Sequence, residues 1–305
     1  MIELLATAES FEQAKHLIDC GVDTIYMGEE SYGLRLPYSF SREEQRAVFA
    51  YAHAHGRKVN VAVNAILHNE QIKTVPSYLT FLKENGVDRI SVGDTGLIQL
   101  LKQPDYYIPF IYDAETIVTN HRQVDFWAKY GAVGAVAARE VPFEELQKMA
   151  KATLPIEVLV YGATCIHQSK RKLMRNYFNF IEKSEDVSRQ RDLFLSEPKG
   201  DDTHYSIYED GSGTHIFANN DLNILPYLGQ LAASELTTWK LDGLYCPGRS
   251  FVSIAKLFVE AREAIKAGLW SEALGAQLDR ALRRFHPAKR GLDTGFFLLK
   301  PDQVK

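Results

Sequence analysis

Cysteine is scarce in this sequence. The 305 residues contain three cysteines, Cys20, Cys165 and Cys246. They are far apart and form neither a CxxC pair nor an even set of disulfide partners, which is typical of a protein from a reducing compartment. HExxH, GxSxG, Walker and GxGxxG motifs are also absent. The common sequence signatures of zinc proteases, α/β-hydrolases, P-loop ATPases and dinucleotide-binding dehydrogenases are therefore missing.

Excess charge of one sign and long apolar runs are missing as well. The formal net charge is −4 and the isoelectric point about 6.2, which argues against nucleic-acid binding driven by overall charge but not against a local basic patch. No apolar run approaches the roughly 20 residues that span a bilayer. The first residues contain no basic region followed by a long apolar stretch, so we expect no signal peptide, no membrane contact and a cytoplasmic location.

Short apolar runs alternate with longer amphipathic stretches along most of the chain. This pattern is typical of repeated βα units with a parallel sheet. We predict strands at Ile2–Ala6, Thr24–Gly28, Lys58–Val63, Arg89–Val92, Tyr107–Tyr112, Val133–Ala137, Ile156–Tyr161 and Thr238–Leu244. We predict helices at Phe11–Cys20, Arg42–His55, Ile72–Asn85, Leu97–Lys102, Val124–Tyr130, Phe143–Ala150, Leu222–Ala233, Phe251–Ala267 and Glu272–Arg284. Eight strands favour an α/β fold of the TIM-type (β/α)8 barrel class, with a doubly wound open sheet as the alternative.

One long insertion interrupts this regularity. Nearly 80 residues, Gly162–Thr237, separate the seventh strand from the eighth. Within them, Tyr205–Phe217 is predicted to be a hairpin around an Asp-Gly-Ser-Gly turn. An insertion after a barrel strand lies at the C-terminal mouth, where barrel active sites are found. We therefore predict one barrel domain over residues 1–290, with the insertion over its mouth, and a C-terminal tail over 291–305.

Polar side chains occur at the ends of most predicted strands. If the barrel closes, they meet at one mouth and form a candidate ligand site. Arg35, Arg139 and Lys240 would offer several donors to a carboxylate or phosphate, although Arg139 could instead pair with Glu140 and support the rim. The candidate ligand-binding residues are Arg35, Asn64, Asp94, Asn120, Arg139, Glu140, Tyr161, Cys165 and Lys240.

Cys165 is the cysteine whose position invites a chemical role. It follows the seventh strand in what we predict to be a glycine-rich turn, where a thiol could serve as a nucleophile or a metal ligand. His167 is close in sequence, but closeness in sequence does not establish a catalytic pair. A small, buried, apolar role for Cys165 is an equal alternative.

Four basic residues follow within six positions: Lys170, Arg171, Lys172 and Arg175. At helical spacing Arg171 and Arg175 would share one face, with the two lysines beside it. These side chains could contact nucleic-acid phosphate or an acidic face of a partner. The alternative is a solvated helix whose charges pair with Glu182, Glu185 or Asp186.

The seventh strand resembles a known family signature. Glu157-Val158-Leu159-Val160-Tyr161-Gly162-Ala163-Thr164-Cys165 is similar to the E-x-x-x-H-G-x-x-C pattern of the collagenase-like peptidase family U-32. The similarity covers essentially the whole chain, including the segments Leu34-Arg35, Asp94-Thr95-Gly96, Ala138-Arg139-Glu140 and Lys240-Leu241-Asp242-Gly243. The segments Gln168–Tyr177, Phe194–Glu197, Glu209–Ile216 and Asp293-Thr294-Gly295-Phe296-Phe297 resemble a shorter branch of the family in particular. That branch is one of a pair of proteins encoded together in Gram-positive bacteria, and the resemblance implies a role in prephenate-dependent hydroxylation of the tRNA wobble uridine.

The sequence differs from the members of this family that bind an iron–sulfur cluster. Their histidine before glycine is Tyr161, their second cysteine corresponds to Lys172, and their later cysteine pair falls in Arg189–Glu197, which has none. Such a cluster usually needs four thiolates. The resemblance therefore implies no metal or cofactor in this chain. It implies a four-cysteine paralogue that carries the cluster as the protein partner, tRNA as the nucleic-acid partner, and prephenate or another small carboxylate as a candidate ligand. The alternatives are a peptidase and a barrel that binds a small anion.

Overall fold

Eight parallel strands close into a barrel. The computed structural model describes residues 1–114, 118–183, 190–197 and 203–304. In the numbering of all strands along the chain, the barrel strands are β1 (Glu3–Thr7), β2 (Thr24–Met27), β3 (Lys58–Val63), β4 (Arg89–Val92), β5 (Phe110–Tyr112), β6 (Ala132–Val136), β7 (Ile156–Ser169) and β11 (Thr238–Leu241). Sequential strands pair in parallel, and β11 pairs with both β1 and β7. The predicted barrel is confirmed, and the open sheet is wrong because β11 closes the ring.

Helices on the outside of the barrel cover its apolar face. They are α1 (Phe11–Asp19), α2 (Arg42–Ala54), α3 (Asn69–Ile72), α4 (Val75–Glu84), α5 (Thr95–Leu101), α6 (His121–Lys129), α7 (Phe143–Met149), α8 (Leu173–Phe180), α9 (Leu228–Ala233), α10 (Gly248–Lys266) and α11 (Glu272–Phe285). Leu17, Val48, Leu79 and Phe258 are among the fully buried helical side chains that pack on the strands. The alternation of buried strands and amphipathic helices seen in the sequence therefore corresponds to the two layers of the fold.

Helix α9 begins later than the sequence predicts. The predicted helix Leu222–Ala233 is wrong over its first residues, because Leu222 and Asn223 end a strand and a short 3₁₀ turn follows at Leu225–Tyr227. The side chain of Asn223 donates to Asp279, and its oxygen accepts from the Leu225 amide. These tertiary contacts fix an extended end that helical periodicity alone does not reveal.

The insertion is built on an extension of β7. This strand was predicted to end at Tyr161, but it continues beyond the barrel to Ser169. Strand β10 (Gly213–Asn223) pairs antiparallel with this extension, and β9 (Tyr205–Asp210) and β8 (Phe194–Leu195) follow at the far edge. The β9–β10 hairpin is confirmed. We call this antiparallel sheet, together with α8, the arm.

The C-terminal segment is tied to the arm and the barrel. Strand β12 (Gly291–Asp293) pairs with β10, and the buried Phe297 packs against Phe143. Just before β12, the Arg290 guanidinium forms a nearly buried ion pair with Asp221 of β10 at 2.6 Å. None of the helices in the described residues combines the length and the apolar composition that a membrane-spanning segment requires.

Candidate functional site

Three cationic side chains from distant parts of the sequence meet at the barrel mouth. Arg35, Arg139 and Lys240 line one small cavity, as the strand-end pattern predicts. The other lining residues are Thr7, Tyr26, Leu34, Phe217 and Asp242. The cavity measures about 10 Å³, which is close to the room that a single water molecule needs. The mouth is therefore positively charged but closed.

Lys240 is a buried cation inside the barrel, 6% exposed. Its Nζ lies 3.7 Å from the centre of the Tyr26 ring and 3.8 Å from Oε1 of Glu157. Burial alone lowers the pKa of Lys240, but nearby Tyr26 and the carboxylates of Glu157, Asp113 and Asp242 outweigh it and raise the pKa above its ordinary value. Lys240 is thus a charged ammonium held inside the barrel.

Glu157 lies beneath Lys240 in the barrel interior. It is 2% exposed, and within the described residues neither carboxylate oxygen accepts a hydrogen bond. Burial raises its pKa, and the Lys240 charge opposes that increase. A buried carboxylate whose main support is an ion pair at 3.8 Å depends strongly on its cation.

Asn64 organises the loop that carries Arg35. Its side-chain oxygen accepts from the Leu34 amide at 2.9 Å, and its Nδ2 donates to Asp113 Oδ2 at 2.9 Å. Arg35 has a φ of 52° in the left-handed region. Such a conformation in a non-glycine residue persists where its surroundings enforce it. The Asn64 contact thus fixes the backbone next to Arg35.

The arm covers the mouth through contacts with this loop. Nη1 of Arg35 donates to Oε1 of Gln168 at 2.7 Å and lies 3.4 Å from Nδ1 of His215. The backbone amide of Gly211, in the hairpin turn, donates to Glu30. Because Gln168 and His215 belong to β7 and β10, a ligand that reaches Arg35 from outside must displace part of the arm.

Arg139 follows β6 and contacts the neighbouring strand. Its Nη1 donates to the backbone oxygen of Ala163 at 3.1 Å. Glu140 is half-buried beside it at the rim. Arg139 thus lines the cavity while it is anchored to β7 where that strand leaves the barrel.

Asp94 and Asn120 are helix caps in the structure. The Asp94 carboxylate accepts from the backbone amides of Leu97 and Leu67, and Asn120 accepts from Gln123 at the start of α6. The bonds from Leu97 and Gln123 satisfy amides at helix N-termini, and the bond from Leu67 holds the loop before α3. Neither residue is among those that line the mouth cavity.

Tyr161 lies outside the barrel, in the helical layer. Its hydroxyl is 2.8 Å from Nδ1 of His286, and its ring packs against Phe251 and Phe258. Leu159 of β7 pairs with Lys240 of β11, but the next residue of β11, Leu241, pairs with Tyr161, so the register shifts by one residue between the two pairs. The structure therefore separates Tyr161 from the mouth, because this irregularity changes which side of the strand faces outwards.

Cys165 lies within β7, so the predicted glycine-rich turn is wrong. Its Sγ donates to the His167 carbonyl at 3.3 Å, and its side chain packs on an apolar cluster that includes Tyr208 and Phe217. Cys20 lies at the end of α1, and Cys246 is buried beside Tyr161, where burial raises the pKa of its thiol to about 11. Across the described ranges, no three His, Cys, Asp or Glu side chains are arranged to hold a metal.

The basic segment is divided between two environments. The Nζ atoms of Lys170 and Lys172 donate to the backbone oxygens of Gly211 and Asp210 in the hairpin turn. Helix α8 begins at Leu173, so the prediction that Arg171 and Arg175 share a helical face is wrong. Both arginines are exposed. Of the acidic partners considered, Glu185 and Asp186 lie outside the described residues.

Sequence reasoning overlooked the roles of Tyr26, Glu157 and His215. Glu157 lies in the predicted strand Ile156–Tyr161, which is apolar apart from this residue. A charged residue at an inward position of such a strand is the signal that could have identified it, since unpaired charges are almost never buried. His215 lies far from Arg35 in sequence, and no local pattern links the two.

Comparisons with known proteins agree with this architecture. Residues 9–305 match the model of peptidase family U32. The chain is 34% identical to tRNA hydroxylation protein P2 of Bacillus subtilis over 97% of both chains, and 24% identical to tRNA hydroxylation protein P of Escherichia coli over 96% of this chain and 74% of that one. A U32 peptidase structure superposes with a TM-score of 0.51 at 15% identity, covering 79% of this chain and 92% of the other. The chain belongs to peptidase family U32.

Proposed function

We propose that this chain is a subunit for hydroxylation of uridine in tRNA, without a cluster of its own, which works in the cytoplasm with a four-cysteine relative. The observation that carries the proposal is the similarity to tRNA hydroxylation protein P2 of Bacillus subtilis along almost the full length of both chains. The same activity appears in the name of the Escherichia coli relative. Hydroxylation is also the reaction implied by the resemblance to the family's shorter branch.

The residues present do not fit an iron–sulfur cluster. Cys165 lies on the arm, while Cys246 is buried behind the barrel wall and Cys20 is at the end of α1. Lys172 stands where cluster-binding members have their second cysteine, and its Nζ bonds the hairpin turn. Four thiolates are the usual ligand set. The redox centre is therefore assigned to the relative, and no step is assigned to a metal in this chain.

The charged mouth supports binding of a small carboxylate, of which prephenate is one candidate. Arg35 and Arg139 provide guanidinium donors suited to a carboxylate, and Lys240 adds a third positive charge. Binding requires the arm to move, because the closed cavity has space for about one water molecule. Gln168 and His215 would then release Arg35 to the ligand.

Arg139→Ala should weaken binding of prephenate by about 10- to 150-fold, since losing a charge-assisted hydrogen bond costs about 1.5–3 kcal/mol. Isothermal titration calorimetry with prephenate measures the change in Kd. The free energy of unfolding should fall by less than the free energy of prephenate binding does, because Arg139 is partly exposed. A variant that binds prephenate as tightly as the native chain would remove Arg139 from the site.

Purification under anaerobic conditions tests whether the four-cysteine relative alone holds the iron–sulfur cluster. The isolated chain should contain no iron or sulfide, and the co-purified pair should contain the amount expected from the four-cysteine relative alone. When unmodified tRNA and prephenate are supplied, hydroxylated uridine should form only with both proteins present. Stoichiometric iron in the isolated chain, or full activity of the relative alone, would reject the proposal.

A further inference from the structure

An apolar groove runs along the arm, on the side of α8. It has a volume of about 370 Å³. Every lining residue is aliphatic, aromatic or methionine: Leu173, Met174, Tyr177, Phe178, Leu193, Phe194, Leu195, Ile207 and Ile216. Met174 and Ile207 are buried at its base. The groove is separate from the mouth cavity, which shares none of these residues.

Large side chains around the groove are open to solvent. Tyr177 is 59% exposed, Phe194 51%, and Phe180 at the end of α8 84%. Leu173 and Leu195 are also exposed. Isolated exposed apolar residues are normal, but a contiguous patch of this kind marks an interaction surface.

Cations flank the groove residues Leu173 and Met174 in sequence, at the start of α8. Arg171 and Arg175 are exposed at the start of α8, and Lys170 is exposed next to them. The chain as a whole is acidic, so this positive segment is a local feature. An occupant of the groove should therefore combine apolar side chains with acidic residues at this rim.

We infer that the groove is the docking surface for a protein partner with an apolar segment and an acidic rim. The inference rests on the proposed function, in which that partner is the four-cysteine relative. It gives the arm two roles: its β7–β10 side covers the mouth, and its α8 side binds the relative. A partner that holds the arm is thereby placed next to the element that controls access to Arg35.

The chemistry of the groove favours protein over RNA. Its floor consists of Met174, Phe178, Leu193, Ile207 and Ile216, and Tyr177 and Phe194 line its sides. These floor side chains offer no donors for base edges, whereas unpaired RNA is usually recognised by base stacking combined with hydrogen bonds to those edges. Anchors of an amphipathic helix or strand fit such a floor well.

A second copy of this chain is a less suitable occupant. A two-fold pair would use the same surface on both molecules. The groove residues include no acidic side chain that could pair with Arg171 and Arg175 of the other copy. An acidic rim on a different chain supplies the missing partner.

The test measures the affinity between this full-length chain and the four-cysteine relative by calorimetry. Tyr177→Asp and Leu195→Asp should each weaken the pair by about tenfold or more, as anchors of an interface do. Leu269→Asp, at a 73% exposed position between α10 and α11, is the matched control and should leave affinity unchanged. Arg175→Glu should weaken the pair less at high salt than at low salt. Thermal unfolding checks that each variant keeps its fold.

Other outcomes overturn the inference. Unchanged affinity in both groove variants rejects it, as does failure of the two native proteins to associate. If Tyr177→Asp weakens binding of the isolated chain to a tRNA transcript but leaves the pair intact, the groove is an RNA surface. If the isolated chain is a dimer that the same variant dissociates, the occupant is a second copy. Hydroxylated uridine in cellular tRNA, measured separately, shows whether the proposed function survives these results.

Discussion

Lys240→Met should reduce the free energy of unfolding by about 3–5 kcal/mol, the usual loss when one partner of a buried ion pair is removed. The substitution keeps most of the side chain's volume and removes the charge. Glu157, whose oxygens lack hydrogen bonds within the described residues, then loses its cation at 3.8 Å. Urea denaturation followed by circular dichroism measures the loss.

The double variant Lys240→Met/Glu157→Gln separates lost charge pairing from lost packing. It should recover much of the stability, since replacing both members of a buried pair is far less harmful than removing one. A double variant no more stable than Lys240→Met would show that Glu157 is not the group left uncompensated.

The loss of unfolding free energy in Lys240→Met should also depend on pH. Burial already raises the pKa of Glu157 above its ordinary value of 4.5, and Lys240 restrains that increase. Without Lys240 the folded protein holds the Glu157 proton more tightly than the unfolded chain does. The resulting stabilisation is fully present below the ordinary pKa and is lost as pH rises through the folded-state pKa. The difference from the native chain should therefore be smallest in acid, and a difference that grows as pH falls would contradict this reading.

Gly162→Ala is expected to have the second large effect. Gly162 has a φ of +125°, and an added Cβ would lie 2.4 Å from the backbone oxygen of Asp242. Strain of this kind costs about 1–3 kcal/mol, and forcing extra atoms into a packed site costs about 1–3 kcal/mol more. The loss should appear in thermal unfolding as a clear fall in Tm.

Gly56→Ala is the control for the backbone contribution. Gly56 also has a positive φ, of +64°, but no atom lies within 4 Å of an added Cβ. Gly56→Ala should therefore lose only the part of the unfolding free energy that backbone strain accounts for. Equal losses of unfolding free energy in the two variants would mean that the contact between the added Cβ and Asp242 does not contribute to the cost of Gly162→Ala.

Gly162 also explains why the sequence misplaces the end of β7. A glycine after an apolar run is ordinarily read as a turn. Here it allows the strand to pass close to Asp242 and continue to Ser169. The partner of that extension, β10, comes more than 40 residues later. Local patterns predicted the barrel strands well because the part of each strand within the barrel is short and buried. They do not reveal which distant segment pairs with a strand that leaves the barrel.

The candidate site was predictable to a similar extent. Strand-end position was enough to bring Arg35, Arg139 and Lys240 to one cavity. It could not distinguish a mouth residue from a helix cap, and Asp94 and Asn120 are caps. Tyr161 could not be placed because a register shift determines its side of the wall. The closure of the mouth depends on Gln168 and His215, whose contact with Arg35 is purely tertiary.

Nucleoside analysis of cellular tRNA tests the central claim most directly. Mass spectrometry would quantify hydroxylated uridine in three strains of the source organism: one lacking this chain, one lacking the four-cysteine relative and one lacking both. The account predicts that losing this chain alone reduces the modified nucleoside strongly, although the relative is intact, and that the native gene restores it. A native level of hydroxylated uridine in the strain that lacks only this chain would contradict the account.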